Sequence, residues 1–534
     1  MPELTGLKYY NTASNSERGG NLKKIRKIIG FVFLIYIISL VCNFAFIQTG
    51  SGIGPPDEGP LECAFYLAQN SSNKVLDMMK IAFVYTNAKQ YAQSLFLAGF
   101  IGNEVFTEFY ILPAIVWGYG MEQNYTQARP LVDSIKNPQA KLVALTWLAK
   151  TYIVHHRDAA KLLKEAEQLA AAMIKQWLGT PYTAGNYMDF LKRADALVNL
   201  SEAEFQTGRK TETNRILNLA AAFIRFASLE SGLEFLKGTA LAGVAHNRYQ
   251  SGYRTAGSGL MAEAEKYILE SAAVSVNSPA LIELAITYAK MRKFDKALQI
   301  AGLIQNEPES SYRFFCLEKI GAEYYQAGQK AKATAVWQRI LAEIRDGDVP
   351  RQIQWWGNVA VEFYQVGQAG EAGNLLQQAL GIAVRQKDQS LKDAYPEALM
   401  VIAGKYREIG ERDSALRLMG EIYELFQTLR LRNMMDGTPN QLVVAHNQPI
   451  PYCSIATIGD IPAQVRSDLL GIDLASEYAR LGVHLRALQV IRLLSLTENK
   501  VEGLIWVGKA FGDDGITVND EMRKILREIA QEGA

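Results

Sequence analysis

One spacing pattern recurs along this chain and limits its possible folds more than any other feature. In its clearest copy an aromatic residue is followed by glycine and then alanine, as Tyr324, Gly328 and Ala333. The same columns recur at Tyr288-Arg292-Ala297, Phe363-Gly367-Ala372, Tyr406-Gly410-Ala415 and Tyr478-Gly482-Ala487. Earlier in the chain, Tyr85, Tyr119 and Tyr152 stand 34 and 33 residues apart. This period predicts an array of helix–turn–helix units.

Each column has a physical role in the packing of two antiparallel helices. Small residues one turn before the ring let the second helix approach closely, and the alanines of that second helix face them. The ring fills the space between one helix pair and the next. Glycine ends the first helix, because a left-handed residue costs least at glycine. The small residues before the ring are Gly321, Ala285, Ala360, Ala403 and Ala475.

The pattern resembles the tetratricopeptide repeat family over roughly residues 72 to 530, in about eleven units. The best unit carries Leu317, Ile320, Gly321, Tyr324, Gly328, Ala333, Trp337 and Ile340. Weaker copies are Leu197-Leu200-Gly208, Leu241-Val244-Gly252 and Leu504-Val507-Gly508-Phe511-Gly515. Two spacings of 39 and 43 residues exceed the family's, and we expect them to lengthen second helices. The resemblance implies an all-α fold, an α-solenoid that forms a right-handed superhelix.

A run of 20 uncharged residues from Ile28 to Ile47 is long enough to span a bilayer as one transmembrane helix. Lys23, Lys24, Arg26 and Lys27 precede the run, and Asp57, Glu58 and Glu62 follow it. The positive-inside rule therefore predicts a cytoplasmic N-terminus and extracytoplasmic repeats, which are periplasmic if the protein is bacterial. A cleaved signal peptide and a lipoprotein modified at Cys42 are alternatives. The length of the run and the lack of a small-x-small cleavage site favour a retained anchor.

The sequence divides into seven segments on these grounds. They are a basic N-terminal segment (1–27), the transmembrane helix (28–47), a juxtamembrane linker (48–71), N-terminal repeats (72–178), central repeats (187–427), an irregular insertion (428–464), and C-terminal repeats with a capping helix (465–534). A break at Gly179–Gly185 is expected to allow flexing between the first two blocks of repeats. The insertion is either a passive loop or a binding or occluding segment that packs back onto the array.

Composition and motifs argue against several classes of function. The net charge is +1 and basic residues are interleaved with acidic ones, which gives no support for nucleic-acid binding. A bridge between Cys63 and Cys453 would have to close the solenoid end to end, and we do not expect it. His155 and His156 would point about 100° apart on a helix and are interpreted as turn residues. No catalytic or metal-binding motif is evident, so the sequence predicts no enzyme, no cofactor, no metal and no small-molecule substrate.

The family resemblance implies that the first helices line a concave face that holds a peptide or helix of a partner protein. The matching positions here are Ile286, Ala322, Tyr325, Val361 and Tyr364. They are largely apolar, which favours an apolar partner segment, although neighbouring units could instead bury them. The clamp with which some family members grip acidic chaperone tails is not matched, because Glu318 and Ala322 occupy its sites and Asn358 stands alone.

Together these features predict a non-enzymatic, single-pass membrane scaffold that binds a partner protein in the assembly or regulation of an envelope complex. Two alternatives stay open. One is an enzyme subunit whose site lies in the 428–464 insertion, with His446, Tyr452 and Asp460 as candidates. The other is a structural protein that self-assembles by stacking its end repeats.

Overall fold

The computed structural model describes residues 53, 55–102, 106–271, 279–304, 312–344, 349–388, 394–435 and 463–533. Contacts divide the chain into residues 1–55 and 56–534, and the described helices all belong to the second of these units. The predicted transmembrane segment 28–47 lies outside the described residues. Among the residues that are described, no helix combines the length and the apolar character needed to cross a bilayer.

The second unit is built almost entirely of helices. They are α1 (Pro60–Ala68), α2 (Lys74–Asn87), α3 (Tyr91–Ile101), α4 (Leu112–Met121, after a π-helical turn at Thr107–Ile111), α5 (Tyr125–Ser134), α6 (Pro138–Val154), α7 (Ala160–Leu178), α8 (Tyr187–Gln206), α9 (Lys210–Phe226), α10 (Phe235–Gln250), α11 (Arg254–Glu270), α12 (Pro279–Lys290), α13 (Phe294–Leu303), α14 (Tyr312–Gln326), α15 (Lys330–Ile344), α16 (Val349–Gln365), α17 (Ala369–Gln386), α18 (Tyr395–Glu408), α19 (Arg412–Met435), α20 (Ala463–Arg480), α21 (His484–Arg492), α22 (Thr497–Asp514) and α23 (Asp520–Gly533). Two strands of two residues each, β1 (Pro181–Tyr182) and β2 (Ser228–Leu229), pair in parallel.

From α2 onward, the described helices form eleven consecutive pairs. In each pair a short turn joins a first helix to a second helix. Each first helix packs against the first helix of the next pair, and each except α22 also packs extensively against its own second helix. This arrangement confirms the prediction of an all-helical repeat array.

Every one of these eleven turns holds a residue of positive φ in the same column, four residues after the ring position. Their φ angles lie between 54° and 91°. Seven of the eleven are glycines, as expected of a left-handed residue that ends a helix. The eleven residues are Lys89, Gln123, His156, Gly208, Gly252, Arg292, Gly328, Gly367, Gly410, Gly482 and Gly515. The repeat therefore extends to units in which the sequence pattern is weak.

The other columns also pack as the sequence predicts. Phe294, the first residue of α13, stacks on the ring of Tyr324 in the next unit, with centroids 3.9 Å apart and planes at 15°. A Cβ on Gly321 would overlap the indole of Trp337, so only glycine lets this second helix approach so closely. The alanines of the second-helix column are fully buried. They are Ala297, Ala333, Ala372, Ala415 and Ala487.

Helix α1 lies within residues 48–71, which the sequence predicts to be a linker. Seven of its nine residues are buried, so it has no polar face from which a helical period could be recognised. It packs against α2, α22 and α23, and its contact with α22 is more extensive than that between α22 and α23. Helix α1 thus takes the place of the second helix in the eleventh pair, and α23 packs against α21 and α1 instead.

The two ends of the array therefore meet, whereas the predicted superhelix implies separate ends. Lys80 of α2 forms an ion pair with Glu502 of α22, with Nζ 2.5 Å from Oε2. Tyr85 donates a hydrogen bond from its hydroxyl to Glu62 of α1 at 2.9 Å. Cys63 is fully buried at this junction. The ends meet although Cys63 has a free thiol, so closure of the array does not require a disulfide at Cys63. Cys453 lies outside the described residues.

Parts of two predicted irregular regions belong to described strands or helices. The break at Gly179–Gly185 contains β1, and Tyr182 within it is 1% exposed. The hydroxyl of Tyr182 donates to the Trp177 carbonyl at 3.1 Å and accepts from Arg193 at 2.7 Å, which argues against free flexing there. At the predicted insertion 428–464, α19 continues to Met435 and α20 begins at Ala463, and the residues between lie outside the described part.

Candidate partner-binding surface

The first helices bury the side that faces their second helices and expose a stripe on the opposite side. In α4 the buried side includes Val116, whereas Trp117 and Met121 are 36% and 39% exposed. The exposed positions recur every three or four residues, as expected for one face of a helix. Because successive first helices pack side by side, these stripes form one continuous layer, which we call the inner stripe.

Three of the five residues predicted to bind a partner lie on the inner stripe. Ile286, Ala322 and Val361 are each two residues before a ring position, and all three are half-buried. Tyr325 and Tyr364 lie nearer the turns that join the two helices of a pair. The Lys330 ammonium sits 5.5 Å from the centroid of the Tyr325 ring, and Tyr364 is 40% exposed.

Charged side chains surround the predicted residues of the inner stripe. Glu283 and Lys290 are exposed on either side of Ile286, and Lys319 forms an ion pair with Glu318 at 2.7 Å next to Ala322. This part of the stripe is more polar than its sequence pattern predicts. The central repeats therefore expose isolated apolar side chains and not a continuous apolar patch.

A larger apolar area lies elsewhere on the inner stripe, at the junction of the two ends. Trp117 of α4 and Trp147 of α6 meet edge to face, with ring centroids 6.4 Å apart. Phe83 of α2 is half-buried on the neighbouring first helix, and Trp506 of α22 is half-buried on the next. We call Phe83, Trp117, Trp147 and Trp506 the junction surface. Its three tryptophans are nearly half of the seven in the chain.

Closure of the array places Trp506 beside the N-terminal aromatics. Its indole N–H donates to Glu502 Oε1 at 3.0 Å, and the same glutamate pairs with Lys80 of α2. Arg480 and Lys509 place their cationic groups 5.6 Å and 5.9 Å from the Trp506 ring centroid. The C-terminal edge of the junction surface is therefore cationic and its N-terminal part is apolar.

Two columns of the repeat contain the residues of the junction surface, but these residues lie outside the most regular central repeats. The column two residues before the ring gives Ile286, Ala322 and Val361 in the central units, and it gives Phe83 and Trp117 in the first two. The column five residues before the ring gives Trp147 and Trp506. That these residues adjoin each other follows only from closure of the array.

The histidines and other groups that could carry chemistry have structural surroundings. His156 is a left-handed turn residue, and His155 hydrogen-bonds the Met121 carbonyl at 3.0 Å. His484 stacks on Phe511 at 4.9 Å, and desolvation lowers its pKa from the ordinary value. Across the described residues, no group of three or more His, Cys, Asp or Glu side chains is placed to hold a metal ion.

One buried pair of carboxyl groups lies between α7 and α8. The Glu204 side chain is fully buried, and Arg209 Nη1 lies 3.1 Å from its Oε2. Arg215 pairs with Glu167 from the neighbouring second helix α9. Desolvation is the main cause that raises the pKa of Glu204 above its usual value, and the hydrogen bond with Glu167 adds to it.

Comparison with known proteins leaves the family open. No protein-family model matches the chain, and no curated protein matches it. Among solved structures, Ton1535 from Thermococcus onnurineus NA1 is similar at 14% identity and a TM-score of 0.31, covering 74% of this chain and 98% of that one. A circular tandem repeat protein with novel repeat topology is similar at 12% identity and a TM-score of 0.22, covering 89% of this chain and 99% of that one. Scores this low carry no argument about function.

Proposed function

We propose that this chain is a non-enzymatic, tetratricopeptide-like scaffold, anchored to a membrane through residues 28–47, that binds a partner protein on the junction surface. The repeats would lie on the extracytoplasmic side, where the partner belongs to an envelope complex. The observation that carries the proposal is the edge-to-face contact between the exposed Trp117 and the half-buried Trp147 on the inner stripe, whose central part has only isolated apolar side chains among charged ones.

The chemistry of the junction surface favours an apolar helix or peptide as the guest. Aromatic residues that stay partly exposed on a folded protein are enriched in binding hot spots, because they bury a large area at little cost in side-chain entropy. The cations around Trp506 suit a guest with acidic residues at one end of its apolar stretch. This guest adds acidic residues to the apolar segment expected from the sequence.

Of the two alternatives, self-assembly through end repeats fits less well. Stacking between copies needs free end faces, and here the first and last pairs pack against each other within one chain. The enzyme-subunit alternative rests on His446, Tyr452 and Asp460, which lie outside the described residues.

Site-specific photo-crosslinking in native membranes tests the binding proposal. A photoreactive amino acid in place of Trp117 of the full chain should form an adduct with a protein of defined mass. The same probe at Val361 serves as the matched control on the predicted central site. An adduct from position 361 but not from position 117 would return the binding site to the central repeats, and adducts from neither would contradict the proposal.

A second measurement ties the adduct to the junction surface. Trp147→Ala together with Trp506→Ala should reduce the adduct from position 117 several-fold, because the guest loses two of its aromatic contacts. Gln377→Ala, an exposed change on second helix α17, should leave it unchanged. The anchor is tested separately, by resistance of the full chain to extraction with alkaline carbonate.

A further inference from the structure

The two rims of the array differ in polarity. At the turn rim, first helices end and second helices begin. At the inter-pair rim, second helices end and the next first helices begin. Sixteen large apolar side chains in the described residues are exposed. Eleven of them lie at the inter-pair rim: Tyr66, Val75, Phe100, Tyr110, Met188, Phe226, Leu269, Leu303, Tyr312, Val384 and Leu431.

The turn rim has few such residues and consists mainly of polar and charged turns. Its exposed large apolar side chains are Met121, Val154, Tyr364 and Ile516, while Trp117 lies between the rims. The most exposed of all sixteen, Phe226 at 74%, is the last residue of α9 and therefore lies at the inter-pair rim. Over the described residues, the array is consequently amphipathic from one rim to the other; residues 272–278, 305–311, 345–348 and 389–393, which join neighbouring pairs, lie outside the described part.

Basic side chains stand beside the apolar residues of the inter-pair rim. Lys74 lies over the Phe100 ring, with Nζ 5.2 Å from the centroid, and Lys192 donates to the Tyr110 hydroxyl at 3.1 Å. Basic residues adjoin other members in sequence, as Arg225-Phe226, Tyr312-Arg313, Val384-Arg385 and Arg430-Leu431. Arg225 and Arg313 also form ion pairs with Glu263 and Glu343. Apolar side chains among Lys and Arg are typical of surfaces that lie in the headgroup region of a bilayer.

We propose that the inter-pair rim rests on the surface of a lipid bilayer, with its apolar side chains in the interfacial region. This inference rests on the anchored part of the proposed function. Twelve residues separate Ile47, the end of the predicted anchor, from Pro60, the start of α1. A chain of that length spans at most about 40 Å when fully extended, so the array cannot leave the neighbourhood of the membrane.

The distribution of these residues favours a lipid surface over a protein partner. A protein interface concentrates its apolar residues in one patch and is depleted in lysine. Here single apolar side chains, at least six of them beside a Lys or Arg, occur from α1 and α2 through α19, on most pairs of the array. A bilayer is flat and laterally uniform, so it can contact all of these side chains at once, and the neighbouring Lys and Arg side chains would lie at the level of its headgroups.

Spin labels on the reconstituted full chain test the inference. Cys42→Ser and Cys453→Ser leave only the buried Cys63 and Cys316, and a nitroxide is then attached through Phe226→Cys. Ile516→Cys supplies the matched label at the turn rim. In liposomes containing anionic lipid, the ratio of oxygen to nickel-chelate accessibility should be several-fold higher at position 226 than at position 516. Leu269→Cys should repeat the result at a second site.

Three outcomes would overturn the inference and leave the anchor intact. Equal accessibility to the nickel chelate at 226 and 516 would show that the rim faces water. Low accessibility to both reagents at 226 would show that protein covers the rim, from the same chain or a second copy. A label at 516 that lies in the lipid would show that the opposite rim faces the membrane. Resistance to carbonate extraction, measured in the same samples, reports on the anchor alone.

Discussion

Leu61 occupies the space that a side chain on Gly508 would need. A Cβ built on Gly508 would lie 2.6 Å from both Cγ and Cδ2 of Leu61. In the clearest unit of the array, a Cβ on Gly321 would likewise collide with Trp337, which belongs to the second helix of the same pair. Leu61 comes from the opposite end of the chain, and it fills the space beside the first-helix glycine of the last unit as Trp337 does in a central unit.

This relationship predicts opposite effects for two glycines that lie within first helices. Gly508→Ala should destabilise the full chain by about 1–3 kcal/mol, because the added methyl group overpacks against Leu61. Gly404→Ala in α18, whose nearest neighbouring atom is 4.0 Å from the new Cβ, should instead stabilise by about 0.5–1 kcal/mol through helix propensity. Thermal denaturation followed by circular dichroism measures both. A Gly508→Ala change that stabilises the chain as Gly404→Ala does would argue that α1 does not pack on Gly508.

A double variant sharpens that test. Leu61→Ala removes the atoms that collide, so it should partly relieve the cost of Gly508→Ala when the two are combined. Strictly additive effects would mean that the two residues are not in contact.

The left-handed column predicts a stabilising glycine. Gln123 has φ 59°, and a residue other than glycine pays about 1–2 kcal/mol for that conformation. Gln123→Gly should therefore stabilise the chain by about 1 kcal/mol, whereas Gln377→Gly within α17 should destabilise it by a similar amount. Denaturation midpoints of the two variants give the comparison. A destabilising Gln123→Gly would show that this turn does not have the geometry shared by the other ten.

The buried Glu204 predicts a pH dependence with a definite sign. Its pKa in the folded state is raised above the ordinary value of 4.5, so the folded state binds the proton more tightly than the unfolded state does. The resulting stability is complete below the ordinary pKa and is lost as the pH rises through the raised one. Glu204→Gln should flatten this decline. Exposed Glu371→Gln should not, and equal slopes for the wild type and Glu204→Gln would refute the assignment.

The periodic part of the fold was accessible from the sequence because each column reports a local contact. Tyr324, Gly328 and Ala333 act within one unit or between neighbours, so their spacing alone predicts the pair and its turn. The weak units were harder, because Lys89, Gln123 and His156 replace the glycine that marks the turn.

Closure and the junction surface could not be predicted in this way. Leu61 and Gly508 are far apart in sequence, and α1 is too short and too uniformly apolar to show a period. Trp506 joins Trp117 and Trp147 only through that closure, whereas Ile286 and Val361 stood out because they lie in the most regular units. Contacts between residues so far apart in the chain leave no periodic pattern in the sequence.

The central claim is that the two ends of the array are in contact, and a designed disulfide tests it most directly. A Cβ on Gly512 would lie 3.2 Å from Cβ of Ala88, close to the separation that a disulfide bridges. With Cys42→Ser and Cys453→Ser, the pair Ala88→Cys and Gly512→Cys should oxidise to an intramolecular bridge, identified by mass spectrometry of the linked peptides. The pair Ala88→Cys and Gly420→Cys is the control. Bridging of positions 88 and 512 in monomers is the predicted result; free thiols, or bridges only between chains, would contradict it.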